Sequence, residues 1–331
     1  MFAYADTHRV YYGAVPALRD GLMHDLEILA QVLILGLANG ALFALIALGY
    51  TLVYGIIELI NFAHFNVFMV GSFIAMWALQ LTGIVGQSHL LGGLPLVGVL
   101  GMAFGSTMLL SGVLGVLIER IALRPMRNVG GTAAMITTIG VSYILFNIIL
   151  LTMGAFTQNY PNPLPALSWQ LGGAVLHLRE VLLWGVSLAL MAALNFFVRR
   201  TKMGKAMRAT AQDQEAARMM GVEVDKIIML TFFIGSALAG AAGLIFGLYY
   251  NFTSFLIGYT AGLRAFTAAV LGGIGNIVGA MLGGLIIGLI ESVGGQFLQV
   301  RWTDVIIFSI LILVLVFRPT GLLGVSAPQK S

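Results

Sequence analysis

No Asp, Glu, Lys or Arg falls between Glu27 and Glu58, between Glu58 and Glu119, or between Arg127 and Arg179. Further charge-free runs go from Glu180 to Arg199, from Lys226 to Arg264 and from Arg264 to Glu291. A soluble domain carries about 25% charged residues. Here they make up 9% of 331 positions, against 59% apolar. Such a chain cannot cover a water-facing surface, so most of its exterior must face lipid. The fold class that follows is an all-α polytopic membrane protein. Glycine is plentiful, at 42 residues, which suits helices that must approach closely where no hydrophobic force drives association.

A spanning helix needs about 20 mainly apolar residues. The runs predict spans near 28–49, 62–82, 97–118, 133–153, 180–198, 227–249, 278–295 and 300–317. The segment 262–273, ahead of the Gly272–Asn276 turn, is apolar but about half a span long and reads as a half-helix or re-entrant element. The chain then divides into a polar tail (1–27), a transmembrane domain (28–317) with a long charged loop (199–226), and a C-terminal tail (318–331). The first apolar run is too long for a signal core and reads as an uncleaved transmembrane helix.

Orientation follows from the basic residues, because cytoplasmic loops hold the excess of Lys and Arg. Loop 119–131 holds three, loop 199–226 seven and the C-terminal tail two, twelve of the 17 in the chain. These segments are expected in the cytoplasm, and loops 83–96, 154–178, 250–261 and 294–300 outside. With the tail inside and the N-terminus outside, 262–273 and 278–295 must each count as a pass. The net charge of +4 thus speaks of topology, not of nucleic acid. With no cysteine, disulfides and thiolate metal sites are ruled out.

Three stretches stand out from the apolar background. In Gly55–Asn66, the groups Glu58, Asn61, His64 and Asn66 fall within nine positions between two spans. At helical spacing Glu58 with Asn61, and Asn61 with His64, share a face. Ionisable groups at membrane depth usually line a bundle interior or an aqueous cavity. The stretch reads either as a pore-lining patch or as an inner-face hairpin whose polar groups cap helix ends. The second stretch, Met203–Lys226, is helix-prone and amphipathic, with Gly221 as its stop. It reads as a short helix that docks in a partner's groove or as a solvated connector. In the third, Gly275, Gly279 and Gly283 recur every four residues, a small-residue face for tight packing. The alternative is a broken helix exposing backbone to substrate.

Nowhere is there a Gly-x4-Gly-Lys-Ser/Thr phosphate loop, a His-Glu-x-x-His pair or a Gly-x-Ser-x-Gly elbow, so hydrolytic chemistry has no visible home. His8, His24, His89 and His177 are scattered without partner spacing and read as surface histidines. If the protein pumps, its energy comes from another chain.

Residues 28–325 resemble the permeases of leucine/isoleucine/valine ABC importers, specifically the shorter, H-type membrane subunit. The likeness rests on Gly40–Gly55 (GALFALIALGYTLVYG), Ile60–His64 (INFAH), Met203–Ala209 (MGKAMRA), Phe266–Gly275 (FTAAVLGGIG) and Arg318–Gly324 (RPTGLLG). It implies the ABC importer permease fold in a bacterial inner membrane, with the N-terminus periplasmic and the C-terminus cytoplasmic. The implied partners are a second homologous permease, two cytoplasmic ATP-binding subunits and a periplasmic binding protein. ATP would be bound by the ATPase subunits, and this chain would need no cofactor or metal of its own and would be no enzyme. Candidate substrate-pathway residues are Tyr54, Asn61, His64, Asn66, Gly272, Gly273 and Gly275. Glu215-Ala216-Ala217-x3-Gly221 is similar to the loop whose helix couples such permeases to the ATPase, making Gly204, Arg208, Asp213, Glu215, Ala216, Ala217 and Gly221 the candidate coupling set. The chain departs from the family pattern at Glu58, Phe65, Asn66 and Val278. Related permeases carry urea, short amides or other amino acids, so the departures at Phe65, Asn66 and Glu58 bear on substrate if they touch the translocation path. A stand-alone channel or secondary carrier is the competing class, and an intramembrane enzyme is a third.

Overall fold

Lipid offers no partner for backbone N–H and C=O groups, so apolar runs of this length must fold as helices. The computed structural model describes residues 6–83 and 93–324, apart from 128, 130, 172 and 299. Among them, eight helices are long and apolar enough to cross a membrane. In chain order these are α1 (Asp6–Ile57), α2 (Ala63–Leu81), α3 (Gly93–Leu117), α4 (Gly131–Met153), α5 (Leu178–Arg200), α8 (Val224–Tyr250), α10 (Ile277–Phe297) and α11 (Val300–Phe317). Helices α6 (Lys202–Gln212) and α7 (Gln214–Met219) form the charged loop, and α9 (Ile257–Gly272) is the short apolar helix. Of the predicted segments, the N-terminal residues 1–5, most of loop 83–96, His89 and the tail from 325 onward, including Lys330, lie outside the described residues. The rest of the polar segment 1–27 is continuous with α1 from Asp6.

The core is built from α1, α2, α8 and the short α9, with α10 packed along α1. Over an 18-residue apolar stretch, 72% of α1 and 78% of α8 is buried, against 11% of α11. Helix α1 packs along α10 and α8, while α2 lies against α8 and α3. The glycine-rich faces divide their work. Gly279 and Gly283 lie against the Gly272 and Ala268 carbonyls of α9, while Gly284 and Gly288 lie against Ala44 and Gly40 of α1. A side chain at any of these positions would overlap the neighbouring backbone. Gly275, expected on the same face, lies instead in the turn before α10, whose N-cap is Asn276.

Helix α9 starts five residues earlier than predicted, at Ile257 rather than 262. At about 1.5 Å per residue its 16 residues span roughly 24 Å, short of the ~30 Å hydrocarbon core. The shortfall lies at its N-terminal end. After α8 the chain turns back at Asn251 and dips into the bundle through strand β4 (Phe252–Thr253), where Ser72 Oγ donates to Thr253 Oγ1 at 2.9 Å. At the other end, the Leu322 and Leu323 N–H groups donate to the Leu271 and Gly272 carbonyls at 2.8 and 3.0 Å. The α9–α10 turn thus shares one side of the bundle with the C-terminal segment and with the end of α1, where Gly275 meets Gly55. Helix α9 therefore counts as a pass, although it is short.

Two predicted loops are more structured than expected. Loop 119–131 begins as a π-helical turn, Ile118–Leu123, followed by a 3-10 turn, Arg124–Met126, so α3 extends past its predicted end. Arg127 pairs with the buried Glu119 and with Asp225 at 2.9 Å, and Arg124 pairs with Asp225 at 2.8 Å. These bonds pin the extension to the start of α8. On the opposite side, loop 154–178 folds onto the bundle. Strand β1 (Gln158–Asn159) pairs antiparallel with β4, and β2 (Ser168–Leu171) with β3 (Ala174–His177). Tyr160 is fully buried against Gly247. His177 is the N-cap of α5, and its N–H donates to Glu180 Oε2 at 2.6 Å.

Candidate functional site

The segment between α1 and α2 does not carry on either helix. Glu58 adopts a positive φ of 52°, and residues 58–61 leave the helical path. The shared helix face expected for Glu58, Asn61 and His64 is therefore absent. A left-handed residue reverses the chain and sends it back alongside α1, so α2 begins at the depth of Gly49, where a Cβ would overlap the His64 ring. The Asn61 carbonyl oxygen of the side chain accepts from the Ala63 N–H at 3.1 Å, and Thr138 Oγ1 of α4 accepts from the Phe62 N–H at 3.1 Å. Both bonds satisfy donors left over at the start of a helix.

This turn lines three cavities in succession. Glu58 and Leu59 border the first, of about 580 Å3, which faces the charged loop and Arg127. Ile60 and Asn61 border the second, a void of about 10 Å3 shared with Tyr50, Tyr54, Phe266 and Ile274. Phe62, Phe65 and Asn66 border the third, of about 390 Å3, against Ser142 of α4 and Leu263 of α9. Four rings separate the second from the third. Tyr50 and Phe65 lie 5.1 Å apart between ring centres, Phe62 and Phe65 5.8 Å, Tyr50 and Phe266 6.0 Å, and Phe62 and Phe266 6.2 Å. The third cavity reaches from Ile139 to Phe146 on α4. Counted from Gly131 at about 1.5 Å per residue, that is ~12 to ~22 Å deep, the middle of the membrane.

The predicted pathway residues divide accordingly. Tyr54 and Asn61 line the small void and Asn66 the third cavity. His64 lines none of these three; it is buried, with Nε2 donating to the Ile46 carbonyl at 3.3 Å, and it joins α2 to α1. Gly273 and Gly275 have φ of 104° and 92° and carry Ile274 to the small void between them. A broken helix offering its backbone to substrate was the alternative reading of this stretch, and part of that backbone is already engaged. The Leu271 and Gly272 carbonyls already accept from Leu322 and Leu323, since the C-terminal segment folds back over the turn. Sequence reasoning missed Tyr50, Phe62, Phe266 and Ser142, whose meeting depends on contacts between distant helices.

It also missed an ionic cluster. Arg264 of α9 pairs with Glu291 of α10 and, at 2.8 Å, with Asp304 of α11. Nearby, the Tyr250 hydroxyl donates to Asn39 Oδ1 at 2.8 Å. Isolated charges in the primary sequence gave no sign of being partners.

The predicted coupling residues all lie on the α6–α7 loop. Thr201 caps α6, its Oγ1 accepting from Gly204 N–H at 3.0 Å, and Gly204 sits against the Phe197 and Val198 carbonyls. Arg208 donates to the Val198 carbonyl. Asp213 breaks the expected single helix in two, because its Oδ1 accepts from the Glu215 and Ala216 N–H groups at 2.8 and 3.0 Å as the N-cap of α7. Ala217 is buried, whereas Glu215 is exposed. Gly221, at φ 84°, donates to the Arg218 carbonyl, and Val222 donates to that of Ala217. That pair of bonds is the Schellman ending of a helix. Met219 and Met220 are left 82% and 84% exposed on a polar loop. Gln214 reaches back to the Ile56 carbonyl at 3.4 Å, so α7 touches the end of α1 beside the first cavity.

A membrane bundle with a series of internal cavities and two exposed methionines on a charged loop has the parts of a transporter subunit. Residues 32–315 match the family model described as "Branched-chain amino acid transport system / permease component". The chain is 41% identical over 304 residues to the high-affinity branched-chain amino acid transport system permease protein BraD of Pseudomonas aeruginosa, covering 91% of this chain and 97% of that one. It is also 41% identical over 300 residues to LivH of Escherichia coli (strain K12), covering 89% and 95%. At 30% identity over 303 residues it matches the probable branched-chain amino acid transport permease protein LivH of Methanocaldococcus jannaschii, covering 86% and 89%. The match runs from the first crossing helix into the last, and the chain belongs to the family of permease components of branched-chain amino acid transport systems.

Proposed function

We propose that this chain is the transmembrane permease subunit of an ATP-driven importer that carries leucine, isoleucine and valine across a bacterial inner membrane. The observation that carries this reading is the turn from Glu58 to Asn66, which borders a mid-membrane cavity at one end and the charged loop at the other. The relatives' names support the substrate. The excess of Arg and Lys on the face of loops 119–131 and 199–226 supports a cytoplasmic position for that face, and hence a periplasmic N-terminus and a cytoplasmic C-terminus.

The cavity at Asn66 is open to one side, where Tyr143 and Tyr259 are 65% and 63% exposed. A path sealed from lipid needs a second wall there, which a second permease subunit would supply. Exposed Met219 and Met220 give α7 an apolar tip suited to a groove on an ATPase subunit. ATP binding would close a pair of such subunits, move α7, and through Gln214 and the end of α1 shift the Glu58–Asn66 turn. ATP drives the change only because it binds the two states with different affinity. Substrate would arrive from a periplasmic binding protein.

The test is uptake of radiolabelled leucine by cells with and without the gene, with isoleucine, valine, alanine or urea in excess. Gene-dependent uptake that isoleucine and valine block, and urea does not, is the expected result. Gene-dependent uptake lost only to urea or another solute would move the substrate elsewhere. Glu215→Lys is expected to abolish uptake while the protein still inserts in the membrane, and normal uptake by that variant would remove α7 from the coupling role.

A further inference from the structure

Phe266–Gly275 and Arg318–Gly324, two of the stretches singled out in the sequence, meet in the fold. Helix α9 ends at Gly272, and residues 273–276 turn the chain into α10. Gly273 and Gly275 have positive φ, and between them Ile274 is set against Tyr50, Tyr54 and Asn61 in the small void. That void is the tightest point of the series, about 10 Å3 between cavities of about 580 and 390 Å3. The C-terminal segment fastens the turn at three points. Leu322 and Leu323 N–H groups donate to the Leu271 and Gly272 carbonyls, and Asn276 Nδ2 donates to the Leu323 carbonyl at 2.8 Å. The backbones touch as well, since a side chain at Gly273 would overlap Gly324 and one at Gly321 would overlap Gly273. Asn276 therefore does two things. Its Oδ1 accepts from the Val278 and Gly279 N–H groups at 3.0 and 3.1 Å and caps α10, while its Nδ2 holds the C-terminal segment. Capping needs only the oxygen.

We propose that residues 318–324 are a strap that holds this turn shut, with Asn276 as its latch, and that the path opens toward the charged loop when the latch releases and Ile274 leaves the void. The proposal rests on the function proposed above and adds a means of regulating it. Asn276 is a positioning residue, acting on the path through Ile274. The glycines on either side of Ile274 give the turn its hinges, because they take backbone angles closed to most residues, and a few such positions absorb the change when a segment swings. The strap continues from α11, the least buried of the eight long helices, so its other end is lightly held. The hydrogen bond at its latch is neutral and partly open to solvent, and such a bond is weak enough in net terms to break and re-form. The turn also lies within reach of the coupling loop. Gly275 meets Gly55, and the next residue, Ile56, accepts through its carbonyl from Gln214 Nε2 of α7 at 3.4 Å. A shift of α7 thus reaches the latch through the end of α1.

Asn276→Asp separates the latch from the cap. The carboxylate still accepts from Val278 and Gly279, and Asp caps a helix as well as Asn does. It has no N–H for Leu323, however, and sets a second oxygen against that carbonyl. The measurement uses inverted vesicles holding the complete transporter, and follows the rate at which a small membrane-impermeant thiol reagent modifies Ile274→Cys. This chain has no cysteine of its own, so the label on it reports that position alone. Adding Asn276→Asp is expected to raise the rate about fivefold, the change in population that one net hydrogen bond supports. Leu45→Cys, fully buried in α1, is the control and is expected to stay unlabelled in both backgrounds. Equal rates at Ile274→Cys with and without Asn276→Asp overturn the latch. A rise that Leu45→Cys shares also overturns it, because the whole bundle has then loosened. These rates do not depend on which solute is carried. A rise confined to Ile274→Cys in vesicles that move no leucine, isoleucine or valine would uphold the latch and defeat the proposed function instead.

Discussion

A single residue decides whether the charged loop can present α7. Gly221 ends that helix at φ 84°, a conformation that costs an ordinary L-residue about 1–2 kcal/mol and that Asn tolerates better. No neighbour would obstruct a side chain there, since nothing lies within 4 Å of a built Cβ. The effect of substitution is therefore one of backbone alone. Gly221→Val is expected to lose most leucine uptake and Gly221→Asn to keep most of it, with equal amounts of both proteins in the membrane. Equal uptake by the two would show that the helix ending does not matter. The stop at Gly221 was legible because a glycine after an amphipathic run is a local signal. The turn at Glu58 was not, because Glu rarely takes a positive φ. Assuming helix there gave Glu58, Asn61 and His64 a common face that the chain does not have. Asn61 and Asn66 stood out as polar groups in an apolar stretch, whereas Phe62 and Phe65 looked like ordinary membrane residues beside them.

At the scale of elements, the eight long helices were readable from charge-free length alone, since nothing else satisfies the backbone in lipid. Their order came out as predicted and their ends within a turn or two, except in α1, which starts at Asp6 and runs on to Ile57 past the predicted 28–49, and α9 was visible as too short. What could not be read was the dip of β4 that starts α9 inside the bundle, or the pairing of Arg264 with Glu291 and Asp304 across three helices. That cluster gives a sharp expectation. Arg264 and Glu291 are 19% and 16% exposed, and Asp304 51%. Removing one partner of a buried pair strands the other, at roughly 3–5 kcal/mol, whereas replacing both with apolar groups is often neutral. Arg264→Leu should therefore lower the midpoint of thermal unfolding in detergent, and Glu291→Leu added to it should restore much of the loss. Asp304 is half exposed and can be left to solvent. If the double variant is no more stable than the single one, the pair is not the source of the effect.

At the scale of the molecule, the placement of its two faces follows from parity. Counting α9 as a pass beside the eight long helices gives nine crossings among the described residues, an odd number that would set the two ends of the described chain on opposite sides. The basic loops, the α9–α10 turn and the C-terminal segment share one of them. The chain contains no cysteine, so each cysteine introduced reports on its own position without a background. Met220 is 84% exposed on the basic face, and Phe156 is 82% exposed on the other. A membrane-impermeant maleimide should label Phe156→Cys in intact spheroplasts and spare Met220→Cys, and inverted vesicles should reverse the pattern. The opposite result would turn the whole topology over, because no smaller change moves both sites together. The same Met220→Cys variant also reports on docking. Inverted vesicles stripped of peripheral proteins should label faster than vesicles that keep them, by severalfold if α7 seats in a groove of the proposed ATPase subunit. Equal rates in the two preparations would leave the apolar tip of α7 in water, and the proposed coupling to ATP would then have to enter the bundle elsewhere.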